Sequence, residues 1–257
     1  MSTDLPPGIA AAWGVRAPMT KGPRPKLTVE AIVAAGIDTA DEEGLEAVSM
    51  NRVAKRLGSS PMGLYRYVTS KEELLQLMVD AALGAMPDAT PAAGWREGLE
   101  RCARWLADAM RAHPWSTHVP ITGPPVTPNA VAWLEAALDA LRETGLAEGE
   151  KASIALMLSG YVREHVMLMA DVETHFLDAA ATPDEAMRGY VDTLRGVVDG
   201  ERFPALQAVI DAGVFDRADP PDAELAWGLD RILDGVDALV RRQTGSAGSP
   251  PPQSASS

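Results

Sequence analysis

Residues Ser49 to Lys71, SMNRVAKRLGSSPMGLYRYVTSK, constrain the fold more tightly than any other stretch of the chain. Ser49 and Ser60 are N-cap residues, each able to accept a hydrogen bond from a backbone N–H at the start of a helix. Pro61 stands at a first helical position, where its missing N–H costs nothing, and Gly58 is a helix stop. The stretch therefore predicts two short helices, Met50–Leu57 and one beginning at Pro61, joined by a tight Gly-Ser-Ser turn. Val53, Leu57 and Leu64 fall on the inner faces of the pair, whereas Met62, Gly63 and Arg66 point away from the seam. From Ala47 to Lys71 there are five basic residues (Arg52, Lys55, Arg56, Arg66, Lys71) and no acid, in a chain of formal net charge -13. A compact basic helix pair on an acidic protein is suited to meet phosphates.

Charge is unevenly spread. Residues 1–80 carry 9 basic and 10 acidic side chains, and residues 81–257 carry 14 and 26. The C-terminal part repels a polyanion, so only the N-terminal region is fit to touch one. With 257 residues, 46% of them hydrophobic, the chain can bury a substantial core in a small domain plus a larger one. No apolar run approaches the ~20 residues of a membrane-spanning helix. The opening MSTDLPPGIAAAWGVR lacks the basic and apolar regions of a secretory signal. Cys102 is the single cysteine, which rules out an internal disulfide and a multi-cysteine zinc site. These features predict a cytoplasmic protein with no membrane partner.

Nearly every periodic segment has helical spacing, with no period-2 run of β-branched residues and no Asn-Gly hairpin signal, so the expected fold class is all-α. Thr28 predicts the N-cap of a helix reaching Glu43, stopped by Gly44. Ser70 with Glu73 is a capping-box signature that starts a helix running through Leu83. Further helices are expected over Trp95–His113, Pro128–Thr144, Asp184–Val198, Ala205–Ala212 and Ala223–Arg242. Another begins near Glu150, with Ile154, Leu158, Tyr161, His165 and Leu168 along one stripe. The Pro- and Gly-rich start predicts a flexible arm over residues 1–25. The Pro- and Ser-rich end predicts a disordered tail over 243–257.

The two short helices have the proportions of a helix-turn-helix, in which a second helix enters a major groove about 12 Å wide. The string GLEAVSMNRVAKRLGSSPMGLYRYVTSKEELL closely resembles the N-terminal domain of the TetR family of bacterial transcriptional regulators. A Leu-Tyr-aromatic or basic-aromatic run followed by Ser-Lys-Glu-Glu-Leu is the signature, and the resemblance covers about residues 27–75. Met-Gly-Leu-Tyr-Arg-Tyr-Val and the closing LDRILDGVDALV are most similar to the tetracycline-repressor-like branch. The resemblance implies that Ser49, Tyr65, Tyr67 and Lys71 contact DNA phosphates, and that Asn51, Pro61, Met62, Gly63 and Arg66 face base edges. Arg66 can pair with a guanine, and Asn51 can read an adenine or reach a phosphate. Pro61, Met62 and Gly63 have no side-chain donors and supply only shape and contacts to thymine methyls. Lys21, Arg24 and Lys26 form a basic arm suited to phosphates or the minor groove.

The same resemblance implies a three-helix DNA-binding domain over residues 26–72 and a larger effector-binding and dimerisation domain over 73–242. The partners expected are a double-stranded, palindromic operator, a second copy of the chain, and a small-molecule effector, largely apolar, that releases the DNA. Two recognition helices then sit one turn of DNA apart, about 34–36 Å. The dimerising helices expected are Ile154–Met169 and Ala223–Arg242. Candidate effector contacts are Trp105, Met110, His113, Trp133, Met157, His165 and Met169, with Trp115, His118 and Phe176 in a wider set; Trp133 and His165 lead. Side chains of these types at helical spacing also serve as ordinary core. The sequence holds no HExxH, GxSxG or phosphate-binding loop, so no catalytic residue, metal ligand or cofactor is expected. A magnesium-assisted ligand is left open. Two other readings remain: a DNA-binding regulator without an effector, and a helical enzyme or carrier with a vestigial head.

Overall fold

The computed structural model describes residues 5–15, 27–87, 92–174, 182–216, 220 and 222–246, among which there is no strand. The N-terminal head comprises α1 (Pro7–Ala12), α2 (Val29–Glu43), a 3-10 turn (Leu45–Ala47), α3 (Met50–Arg56) and α4 (Pro61–Leu64). Next come α5 (Lys71–Leu83), α6 (Trp95–Ala112), a second 3-10 turn (Pro114–His118), α7 (Pro128–Ala140) and α8 (Glu148–Val172). The chain continues as α9 (Pro183–Val197), α10 (Pro204–Asp211) and α11 (Ala223–Ser246).

Caps set the head's helix starts. Thr28, Ser49, Ser60 and Ser70 accept hydrogen bonds from the backbone N–H groups of Ala31, Arg52, Gly63 and Glu73 at 3.1, 3.1, 3.3 and 3.1 Å. Gly58, at φ 60°, turns the chain sharply enough for α4 to follow α3 at once. Ile32, Val48, Val53, Leu64, Val68, Leu74 and Met78 are fully enclosed beneath these helices. Trp115 and Val119, from the second 3-10 turn and just beyond it, are buried in the same core.

A second core fills the body. Leu99, Ala103 and Leu106 of α6 meet Trp133 and Ala137 of α7, Ile154, Leu158, Val162 and Val166 of α8, and Leu225, Leu229, Leu233 and Val236 of α11. The buried stripe of α8 thus runs at steps of four from Ile154, whereas Tyr161 and His165 are half-buried and Leu168 is exposed. Helices α8 and α11 approach closely because Gly228 has no side chain; a Cβ there would overlap the Tyr161 hydroxyl. That hydroxyl donates to the carbonyls of Glu224 and Leu225 at 2.9 and 3.2 Å.

Three expectations change. The start of the chain is not mobile over Pro7–Ala12: Ile9 is 1% exposed and α1 packs on α5. Glu73 does not close a capping box. Its buried carboxylate accepts from the backbone N–H groups of Gly8 (2.6 Å) and Thr69 (2.6 Å) and from the Thr69 hydroxyl (2.6 Å), so it pins α1 to the head. At the far end α11 continues to Ser246, past residue 243 where a disordered tail was expected. The basic arm residues Lys21, Arg24 and Lys26 lie outside the described residues.

Candidate nucleic-acid interface and effector cavity

On the head's outer surface the polar groups divide by whether they already have partners. Asn51 and Arg66 are exposed and make no hydrogen bond or ion pair among the described residues, and Met62 beside them is 75% exposed. Tyr65 is 45% exposed, whereas Tyr67 packs partly against the head core with only its edge outward. Ser49 caps α3, leaving its hydroxyl hydrogen free to donate, and Lys71 opens α5 with no ionic partner among the described residues. Pro61 and Gly63 are half-buried in the one-turn α4. A Cβ at Gly63 would sit 2.9 Å from the Ser59 hydroxyl, so the missing side chain lets the turn fold against this helix.

The basic patch is smaller than the sequence implies. Arg52 bonds Glu43 at 2.5 Å, and Arg56 grips Glu42 with two bonds of 2.5 and 2.8 Å. The Arg56 hydrogen bond holds the Glu42 carboxyl below its ordinary range. The acids at the end of α2 therefore neutralise two of the five cations, which leaves Lys55, Arg66 and Lys71 to face a phosphate. Nothing in the Ala47–Lys71 run contains these acids, which reach α3 only through the fold.

In the body, a cavity of about 640 Å³ opens between α5, α6, α7, α8 and the segment from Ser116 to Thr127. Val79, Leu83, Leu106, Val119, Leu134 and Ala155 make most of its wall apolar. Of the candidate effector contacts, Met110 and Trp133 lie on it. The Trp133 indole N–H already donates to the Cys102 carbonyl at 3.1 Å, so the ring offers only its face. Trp105, His113, Met157, His165 and Met169 are not on the wall. Trp105 packs against the body core. His113 meets Asp41 at 3.0 Å. Met157 and Met169 are 46% and 41% exposed on the outside of α8. His165 stacks near Tyr161, and its pKa is lowered first by burial and then by Arg111. Of the wider set, Trp115 is buried in the head core, His118 lies 3.5 Å from Asp171, and Phe176 is outside the described residues.

Sequence reasoning missed Ser116, Gln76 and Arg163, which are polar wall residues. Arg163 had a signal: it sits between Val162 and Val166, with no acid three or four positions away on α8. Burial pushes the Cys102 thiol up to about 11, which leaves it unsuited to act as a nucleophile.

The cavity and the head share a wall. Gln76, Val79, Ala82 and Leu83 reach the cavity from α5, whose Leu74, Leu77 and Met78 lie in the head core. The second 3-10 turn provides another route: Ser116 faces the cavity, while the Trp115 indole N–H donates to Asp41 of α2 at 2.6 Å. The ring of Trp13, just after α1, donates to the Val126 carbonyl at 2.8 Å on the cavity's rim.

Comparison with known proteins follows this geometry. The family profile for bacterial regulatory proteins of the tetR family matches residues 32–78, and the tetracyclin repressor-like C-terminal domain matches residues 86–240. The HTH-type transcriptional repressor DrrR1 of Streptomyces coeruleorubidus is 34% identical over 250 residues, covering 96% of this chain and 90% of that protein. The class A tetracycline repressor of transposon 1721 from Escherichia coli is 29% identical, covering 82% and 91%. The solved structure of the TetR family protein ActR of Streptomyces coelicolor in complex with actinorhodin matches with a TM-score of 0.68 at 25% identity, covering 87% of this chain and 99% of that one. No helix among the described residues is long and apolar enough to cross a membrane. With the helix-turn-helix at one end, the cavity in the body and both profiles matched in order, the chain belongs to the TetR family of bacterial regulatory proteins.

Proposed function

We propose that this chain is a ligand-responsive, DNA-binding repressor, acting in the cytoplasm as a homodimer on a palindromic operator. One observation carries the reading: an outward face with unpartnered Asn51 and Arg66 is joined, through α5 and through Trp115–Asp41, to the wall of a drug-sized cavity. Ser49, Tyr65, Tyr67 and Lys71 hold the phosphate backbone and set register. Asn51 and Arg66 read base edges, and Met62 packs on a thymine methyl, with Pro61 and Gly63 shaping the approach. The head extends to about residue 72 and includes α1; the body runs from 73 through α11.

Dimerisation uses α8 and α11 through residues outside the core, since Ile154, Leu158 and Leu229 of the expected stripes are buried in it. The outer faces carry Leu156, Met157, Leu168, Met169 and Trp227, all exposed in one copy. Effector binding in the cavity moves α5 and the 114–119 segment together and changes the spacing of the two heads. It weakens DNA binding only to the extent that the effector prefers the wrongly spaced state. The relative ActR, solved with actinorhodin, supports a small-molecule effector for this fold.

The test is selection of duplexes from a random pool, followed by gel-shift and light-scattering measurements on the winner. A symmetric sequence bound by two copies is expected. A monomer at micromolar concentration with no duplex preference at low salt overturns the reading.

A further inference from the structure

Arg163 places one cation on the cavity wall, and no Asp or Glu lines that wall to balance it. Other cations of the body, such as Arg96, Arg104, Arg111 and Lys151, pair with acids three or four positions away. Arg163 instead donates from Nε to the Thr117 carbonyl at 3.0 Å, and from Nη2 to the Thr117 and Val119 carbonyls at 2.5 and 2.7 Å. Neutral carbonyls fix the fork in place without neutralising it. The two N–H groups of Nη1 keep no partner among the described residues, and arginine stays protonated throughout the physiological range. Burial works against this charge, lowering the pKa of the guanidinium from its ordinary value, with Glu164 acting in the opposite sense.

The segment that receives the fork also holds the Ser116 hydroxyl. Ser116 is 7% exposed, lines the cavity, and its Oγ has no hydrogen-bond partner. Two other polar groups on the wall are occupied: Gln76 donates to the Thr122 hydroxyl at 2.8 Å, and Ser159 to the Leu156 carbonyl at 3.0 Å. The buried hydroxyl is unsatisfied, and the half-spare guanidinium beside apolar wall residues is open to a partner, until something with acceptor oxygens arrives.

We infer that the cavity takes an effector whose apolar body carries one ionised oxygen acid, a carboxylate or an acidic phenolate, held by Nη1 of Arg163 and the Ser116 hydroxyl. This rests on the cavity being the effector site and names the class of compound it selects. A carboxylate supplies two acceptor oxygens and the missing negative charge at once. A neutral carbonyl supplies only one bond, and an amine is repelled by Arg163. Charge-assisted bonds are the strong ones, more so where water is excluded. The anchor also lies where it can act on the head, because Ser116 adjoins Trp115 and its bond to Asp41.

The test is calorimetric titration of the full chain near neutral pH with 2-naphthoate and its neutral isostere 2-naphthamide. The naphthoate is expected to bind about tenfold more tightly or better, as a hydrogen-bonded charge pair implies. Arg163→Gln is expected to erase that preference, with a much larger loss for naphthoate than for naphthamide, and Arg163→Lys to keep part of it. Ser116→Ala removes a group that bonds nothing in the folded protein, so it leaves the fold intact and is expected to reduce the preference about threefold. Ala130→Trp, which fills the cavity, is expected to abolish binding of both probes. Equal affinity for the two probes, or a preference that survives both Arg163→Gln and Ser116→Ala, overturns the anchor and leaves the cavity standing. Failure of both probes to bind, or binding that survives Ala130→Trp, overturns the effector site and the anchor with it.

Discussion

The DNA-facing surface and the cavity are built in opposite ways. Every residue assigned to the first lies in one run from Ser49 to Lys71, shaped by two caps, one left-handed glycine and a proline at a helix start. The second draws on α5, α6, α7, α8 and a segment that is mostly not helical, and none of these contacts the cavity without the others in place. Asn51, Met62, Tyr65 and Arg66 on the first surface are exposed to solvent and bear little of the fold's stability, whereas Ser49 and Tyr67 also serve the fold. Residues on the cavity wall, Leu106 and Ala155 among them, are also core. Substitutions at the exposed interface residues are thus expected to alter recognition alone, and substitutions on the wall to alter recognition and stability together.

Leu106→Ala puts the largest strain on this contrast. It is expected to lose about 2–4 kcal/mol in urea melts, as buried leucines do, and to weaken probe binding as well. A loss confined to ligand binding breaks the comparison. On the other side, Arg66→Ala is expected to cost about 1–3 kcal/mol on the selected duplex and nothing on a random one, read by competition gel shift. Equal losses on both duplexes remove Arg66 from the reading face. Lys71→Ala with Tyr65→Phe is expected to weaken both duplexes alike and to lower the salt slope of binding by about 1 for the lysine. A smaller effect separates the cations of α3. Lys55→Ala is expected to reduce DNA affinity more than Arg56→Ala, because Arg56 is already held by Glu42. The reverse order would mean that the ion pair opens on DNA. Last, Met62→Ala, at a site 75% exposed, is expected to leave the urea midpoint within about 0.5 kcal/mol of the parent while shifting preference at one base.

What could be read in advance follows the same division. The caps at Thr28, Ser49, Ser60 and Ser70 act between neighbours, so helix starts in the head are legible in the sequence, and so is the outward direction of Met62 and Arg66. Glu73 shows the limit: its spacing from Ser70 is that of a capping box, but the carboxylate turns to the Gly8 N–H, a group far away in the chain. The pairing of Arg52 and Arg56 with Glu43 and Glu42 has the same origin, since helix crossing brings those acids to α3. In the body, helical periodicity identifies the elements and misses the 3-10 turn at Pro114–His118, too short to have a period. It also cannot say which side of α8 meets α6 and α7. His165 and Met157 were thus plausible cavity residues by type and lie elsewhere by rotation, whereas Arg163 lies on the wall with only the lack of an acid three or four positions away to mark it.

The pinning of α1 has a consequence for how the chain comes to fold. Its Gly8–Glu73 bond spans 65 residues and the Trp13–Val126 bond spans 113, although α1 precedes the other described helices in the chain. Local helices α2 to α4 can form as they emerge, but α1, which touches α2 only lightly, meets its main partner when α5 is made, and Trp13 its acceptor when Val126 is made. Closing such long loops is slow compared with forming helices. Helix α1 is therefore made well before the partners that hold it, and its docking joins the head to the rim of the cavity.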